Sequence, residues 1–282
     1  MKIAFFGTPD LAVTALSEME SFGILPELVV TTPDAPVGRK QIITSPPTKI
    51  WAQEHNIPTF QPTTLKNQDQ LTLLTNQTWD LFVVFAYGKI IPKWLLTLPK
   101  YGTINAHPSL LPKLRGASPI RSTLLTDLTA AGVTIIQMDE ELDHGPILYQ
   151  QAVNLSTPIL GRDLDKTLSL ICGDLLAHVI QELPKGTLVP TPQNHEVATF
   201  CTKITKKMAK LNLDPNHLPT GDAAQEAYRQ ICAFDLWPEA FFMHDGKRIK
   251  IKAAHLDDVG KLQITRITPE GKAEMDFSVY FS

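Results

Sequence analysis

Through its first 185 residues the chain alternates short apolar runs with stretches of helical spacing, and few architectures satisfy that alternation. Strand-like runs fall at residues 3–6, 27–31, 81–86, 133–138 and 147–153, and the residues between them carry apolar positions at the helical period. Strands separated by helices predict a doubly wound α/β sheet, mixed but mostly parallel and Rossmann-like in layout. Sheets of this kind collect ligands beyond the carboxyl ends of their strands, where Tyr87-Gly88 and the segment around Asn105 would lie. The first turn, Gly7-Thr8-Pro9-Asp10, reads as a strand end followed by a Thr N-cap with Pro at the first helical position. It lacks G-x-G-x-x-G, which argues against dinucleotide binding there.

Near residue 185 the composition changes. Pro184-Lys185-Gly186 and Pro190-Thr191-Pro192-Gln193-Asn194 can continue neither a helix nor a central strand, so residues 186–207 read as a linker between domains at 1–185 and 208–282. The second domain predicts one helix over 223–233 and strands over 240–243, 248–255, 262–267 and 273–280. Short strands with one helix point to a small OB-like β-barrel, a type that binds nucleic acid or sugar. With 43% apolar and 20% charged residues the chain can bury a full core. No apolar stretch approaches the roughly 20 residues that span a bilayer, and the N-terminus opens on a strand-like run, so neither a signal peptide nor membrane contact is expected. Cys172, Cys201 and Cys232 are odd in number, far apart and not in metal spacing, as befits reduced thiols in a cytoplasm. A net charge of -3 gives no general attraction for polyanions. Locally, however, Lys203, Lys206, Lys207 and Lys210 fall within eight residues.

The chemistry concentrates in Asn105-Ala106-His107-Pro108-Ser109-Leu110-Leu111-Pro112 and, about thirty residues later, Leu142-Asp143-His144-Gly145. Both read as loops beside apolar strands. In an extended segment Asn105 and His107 project to the same side, an always-neutral amide donor beside an imidazole with an ordinary pKa near 6.5. Such a pair can stabilise an oxyanion, and Asp143 can take a proton or set the charge on His107. A lone His or an Asp before a Gly turn is usually structural; the combined spacing makes the set a candidate site for acyl transfer. A metal site at His107, Asp143 and His144 lacks the i, i+4 or C-x-x-C spacing that favours zinc. Ser109 as nucleophile lacks the G-x-S-x-G elbow.

These motifs, with Arg115-Gly116-Ala117-Ser118-Pro119-Ile120 and Gln137-Met138-Asp139, resemble the folate-dependent formyltransferases, whose shared signature is Asn-x-His-x-Ser-Leu-Leu-Pro with a later Asp-x-Gly. Phe6-Gly7-Thr8-Pro9, the run from Thr32 to Arg39, Lys203-Ile204-Thr205-Lys206, Ala233-Phe234-Asp235-Leu236-Trp237-Pro238 and Gly246-Lys247-Arg248-Ile249-Lys250 extend the resemblance over nearly the full length, to the branch that acts on initiator Met-tRNA. The resemblance implies a transfer of the formyl group of 10-formyltetrahydrofolate to the methionine amine of that tRNA, by a monomer; the absence of metal spacing and the cysteine usage add the expectation of a metal-free, cytoplasmic protein. It implies catalytic roles for Asn105, His107 and Asp143. It implies folate contacts at Tyr87, Gly88, Ser109, Leu110, Leu111 and Pro112, and tRNA contacts at Arg39, Lys40, Lys203, Lys206 and Lys207. In the family the loop past Arg39 continues with glycines and lysines, whereas here Lys40 is followed by Gln41-Ile42-Ile43, and the C-terminal domain is shorter. Fewer cations mean fewer phosphate contacts and a shallower salt dependence. Three alternatives stay open at this point: an amino-sugar acceptor, hydrolysis of the formyl-folate, and RNA binding without catalysis.

Overall fold

In the computed structural model, which describes residues 1–38 and 40–281, the first apolar run becomes β1 (Ile3–Phe6), buried at every position. A strand without apolar/polar alternation is one covered on both faces, and a seven-stranded sheet forms around it. The further strands of this part of the chain are β2 (Leu28–Val30), the exposed hairpin β3 (Ala35–Val37) and β4 (Ile42–Thr44), β5 (Thr59–Phe60), β6 (Leu81–Val84), β7 (Thr103–His107), the two-residue β8 (Arg115–Gly116), β9 (Gly132–Gln137) and β10 (Ile147–Ala152). The order across the sheet is β10-β9-β7-β6-β1-β2-β5. Strands β7, β6, β1, β2 and β5 run parallel, β9 pairs antiparallel with β7, and β10 with β9. The sheet is therefore mixed and mostly parallel, as expected. Its winding reverses between β1 and β6, the place where open α/β sheets form ligand crevices.

Helices α1 (Asp10–Ser21), α2 (Pro47–Glu54), α3 (Thr72–Thr75), α4 (Lys93–Leu96), α5 (Pro119–Thr126) and α6 (Gly161–Glu182) follow in chain order. One core of the sheet gathers Phe6, Val30, Phe82 and Val84 with Leu74, Trp79, Leu95 and Leu96. Phe6 and Phe82 tilt against each other with ring centres 5.1 Å apart, and the Trp79 indole N–H donates to the Leu74 carbonyl at 3.0 Å. A large indole is thereby buried without an unpaired polar atom.

The start of α1 and residues 103–107 differ from expectation. Helix α1 begins at Asp10 with Pro9 in the capping position and no side-chain cap; Thr8 Oγ1 instead donates to the Tyr87 carbonyl at 3.4 Å. Gly7 is dictated by close approach, since a Cβ there would stand 2.9 Å from the Phe85 carbonyl and 2.6 Å from the Phe5 ring. Residues 103–107 are extended and not a loop. Asn105 and His107 form the end of β7, a central strand buried throughout. Its Thr, Asn and His side chains interrupt the apolar run by which a strand is read, and Thr103 Oγ1 is satisfied by the Leu96 carbonyl at 2.8 Å.

The chain divides into two compact units, Met1–Ala117 with Gly132–Val153 and Lys166–Phe200, and Ser118–Ala131 with Asn154–Asp165 and Cys201–Ser282. The segment expected as a linker thus runs with the first unit as far as Phe200, and Thr191 exchanges two 2.8 Å backbone hydrogen bonds with Ile147. After β11 (Phe200–Cys201), the second unit holds α7 (Gly221–Ala233) and an antiparallel meander of β12 (Phe241–His244), β13 (Lys247–Leu256), β14 (Leu262–Pro269) and β15 (Met275–Asp276), ending in α8 (Phe277–Tyr280). Residues 273–280 are not one strand. Only Met275 and Asp276 pair with β14, and the chain then turns helical so that the Phe277 and Phe281 rings pack with centres 4.7 Å apart. Within this unit Arg121 grips both oxygens of Asp165, at 2.7 and 2.6 Å, which binds α5 to the first turn of α6. Among the described residues no helix is long and apolar enough to cross a membrane.

Candidate active site at the carboxyl end of β7

Alternation along β7 sends Asn105 and His107 to one face. The turn between β9 and β10 brings Asp143 to the same place. Asp143 Oδ1 lies 3.4 Å from Asn105 Nδ2 and 3.5 Å from His107 Nδ1, and its Oδ2 accepts the Gly116 N–H at 2.8 Å. His107 Nε2 donates to the Leu114 carbonyl at 3.0 Å. A carbonyl cannot donate, so Nε2 carries a proton and Nδ1 is the ring atom left to face the Asp143 carboxylate. His107 is only 3% exposed. The three residues singled out from the sequence therefore meet at one carboxylate oxygen. Among the described residues no group of three or more His, Cys, Asp or Glu side chains is arranged to hold a metal ion.

Behind them stands a layer that sequence reasoning missed. Gln193, from the Pro-rich segment, donates from Nε2 to the carbonyls of Asp143 at 2.9 Å and Gly145 at 2.8 Å. Its Oε1 accepts from Arg115 Nε at 3.2 Å and Nη2 at 2.7 Å. Arg115 Nη2 also reaches His195 Nδ1 at 2.8 Å. A guanidinium only donates, so that nitrogen of His195 is the acceptor. The His195 ring stacks flat on His144 at 4.0 Å, and His144 Nδ1 lies 2.7 Å from Asp139 Oδ2. Gly145 is required, because a Cβ there would fall 1.8 Å from the Gln137 carbonyl. No sequence signal marked Gln193: its partners Gly145, Asp143 and Arg115 lie 48, 50 and 78 residues away.

Ser109 is buried, its hydroxyl donating to the Lys113 carbonyl at 2.7 Å; the Leu111 N–H donates to Thr134 Oγ1 at 3.1 Å and its carbonyl accepts from Gln150 Nε2 at 2.9 Å. Leu110 and Pro112 are half-buried. The loop is thus tied down by hydrogen bonds at Ser109 and Leu111, both turned inward. Tyr87 is not an open pocket wall: its ring joins the core edge-on to Phe6 at 5.5 Å, and burial pushes its phenol pKa up. Among the described residues its hydroxyl finds no hydrogen-bond partner. Gly88 is exposed at φ +78°. Lys40 is exposed in the first unit, Lys203, Lys206 and Lys207 are exposed in the second, and Arg39 lies outside the described residues. A cavity of about 640 Å³ opens elsewhere, beyond the carboxyl ends of β1 and β2, lined by Val13, Val37, Ile50, Trp51 and the polar groups of Thr8 and Asp10 among others.

A doubly wound sheet with an amide, an imidazole and a carboxylate converging at its carboxyl edge is the architecture of an α/β group-transfer enzyme. The chain belongs to the formyl transferase family: residues 1–166 match its Formyl transferase domain and residues 221–261 its Formyl transferase, C-terminal domain. It is 39% identical to a methionyl-tRNA formyltransferase of Halalkalibacterium halodurans over 89% of this chain and 77% of that protein. It is 38% identical to one of Caldicellulosiruptor saccharolyticus over 93% of this chain and 83% of that protein. Among solved structures, a sugar N-formyltransferase from Shewanella sp matches with a TM-score of 0.66 at 19% identity, over 90% of this chain and 97% of that one. The methionyl-tRNA formyltransferase from Clostridium thermocellum matches with a TM-score of 0.60 at 17% identity, over 98% and 99%. At these identities the structural likeness speaks for the fold alone.

Proposed function

We propose that this protein transfers the formyl group of 10-formyltetrahydrofolate to the α-amino group of methionine on initiator Met-tRNA, acting as a cytoplasmic monomer. The observation that carries the chemistry is the convergence of Asn105 Nδ2 and His107 Nδ1 on Asp143 Oδ1, within 3.5 Å. The acceptor is supported by the names of the relatives at 38–39% identity. The folate supplies a formyl group already bonded to nitrogen. As the neutral amine bonds to the formyl carbon, negative charge grows on the formyl oxygen, to which the second hydrogen of Asn105 Nδ2 and a proton on His107 Nδ1, turned from Asp143, would donate. With Nε2 held by Leu114, a donating Nδ1 makes the ring an imidazolium, and the Asp143 carboxylate is its counter-ion. Asp143 takes the proton released by the amine and, as the old carbon–nitrogen bond breaks, hands it to the leaving nitrogen.

For the folate, the Tyr87 hydroxyl, beside the end of β6, is a buried polar atom with no partner among the described residues, which a ligand amide would satisfy. The Ser109-to-Pro112 loop would meet the folate through its backbone and through Leu110 and Pro112. The cavity beyond β1 and β2 falls in the usual range for small-ligand sites, about 300–1,000 Å³, and is left to the aminoacyl end. The deciding experiment incubates the purified protein with 10-formyltetrahydrofolate, labelled in the formyl carbon, and either Met-tRNA or an amino-sugar nucleotide. Label on Met-tRNA alone is expected; label on the sugar alone would assign the other acceptor class, and free formate alone would assign hydrolysis.

A further inference from the structure

Asp143 stands at φ +49°, a left-handed conformation that costs a non-glycine residue roughly 1 kcal/mol or more. Something must hold it there. The carboxylate is anchored by the Gly116 N–H at 2.8 Å, and the backbone on either side of His144 is anchored by Gln193 Nε2, which bridges the carbonyls of Asp143 and Gly145. Both amide hydrogens of Gln193 are used and its oxygen takes two bonds from Arg115, so every hydrogen-bonding position of the amide is filled. A flipped amide would set N–H against a guanidinium and oxygen against two carbonyls, so one orientation is enforced. Gln193 is 5% exposed and Arg115 4%, which removes water as a substitute partner. Arg115 and Gly116 are consecutive: one short strand fixes the carboxylate of Asp143 directly and its backbone through Gln193.

We propose that Gln193 is a positioning residue that aims the Asp143 carboxylate, with Arg115 holding Gln193 in register. The inference rests on the catalytic role proposed above for Asp143. Without Nε2 the Asp143–Gly145 turn loses the brace that keeps Oδ1 within 3.5 Å of both donors, and misplacement by about 1 Å can cost about 10²-fold in rate.

The test is a double-mutant cycle on the full chain, read as kcat and KM for formyl transfer to Met-tRNA. Gln193→Leu keeps the volume and removes all four bonds. Gln193→Glu keeps an acceptor for Arg115 and replaces the donor that Asp143 and Gly145 need. Both variants are expected to lower kcat about tenfold to a hundredfold while leaving both KM values within about twofold. In an Asp143→Ala background neither is expected to lower the residual rate further, because Gln193 would have nothing left to aim. Full additivity in that background overturns the proposal, since it would make Gln193 a structural residue acting on the fold at large. A wild-type kcat in either Gln193 variant, with Asp143→Ala impaired, also overturns it and leaves the role of Asp143 standing. A wild-type rate in Asp143→Ala overturns that role and this inference with it. Should Gln193→Leu not fold, the same outcomes are read from Gln193→Glu.

Discussion

At the scale of single residues, the candidate site is an amide and an imidazole sharing one carboxylate oxygen. Asn105→Ala removes a donor that is neutral at every pH and whose side chain is hydrogen-bonded to Asp143. It is expected to lower kcat by about 10² to 10³, the usual cost of one oxyanion donor, with KM for Met-tRNA little changed; steady-state kinetics with labelled formyl donor checks this. These residues were legible in the sequence because their chemistry is carried by side-chain type and their alignment by the two-residue period of an extended chain. Gln193 was not legible. It lies among prolines in a stretch that reads as a spacer, and its meaning comes from Asp143 and Arg115, which the fold alone brings near. His195 was hidden in the same way, since only the fold stacks it on His144.

At the scale of elements, the β9–β10 turn shows how much of the site is backbone geometry. Gly145→Ala would force a Cβ into the Gln137 carbonyl, which only a shift of the turn can relieve. Transfer is expected to fall about as far as in Asp143→Ala, with the far-UV circular dichroism unchanged; retained turnover would show that the turn tolerates displacement. In the second unit Glu239 is the corresponding clamp. Burial works to raise its pKa, but the Lys250 and Lys252 ammonium groups outweigh it and hold the carboxyl below its usual 4.5. A lowered folded-state pKa contributes stability above the unfolded pKa and loses it as pH falls. Glu239→Gln is therefore expected to cost on the order of 1 kcal/mol near pH 7, with the gap to the unaltered protein closing as the pH drops below about 4.5, as denaturant titrations at several pH values would record. Strand β7 shows why elements are less legible in a sequence than residues. Its polar end serves the site, and what serves a site breaks the apolar pattern that announces a strand. The last strand failed for a different reason. Alternation over residues 273–280 satisfies a strand locally, yet aromatic packing around Phe281 turns the chain into α8.

At the scale of the whole molecule, a net charge of -3 means that a polyanion must be met by particular lysines rather than by a general field. In the second unit Lys250 and Lys252 are paired with Glu239, and Arg266 with Glu274 and Asp276, so these three cations of the meander are neutralised. Lys203, Lys206 and Lys207 are exposed on and beside the short turn Lys206–Ala209, and among the described residues no carboxylate pairs with any of the three. If phosphates of the proposed tRNA partner are bound at this unit, these lysines are where counterions are released. Replacing Lys203, Lys206 and Lys207 together by Ala is then expected to weaken tRNA binding at low salt and to flatten the plot of log affinity against log salt by about 0.7 to 0.9 for each phosphate no longer neutralised, while KM for the folate stays unchanged. Replacing Lys250 and Lys252 instead should leave that slope nearly intact and lower the stability of the unit, because those charges already answer Glu239. Equal slopes for the unaltered protein and the triple variant, measured by filter binding from low to physiological salt, would move the tRNA footprint away from the lysine cluster altogether.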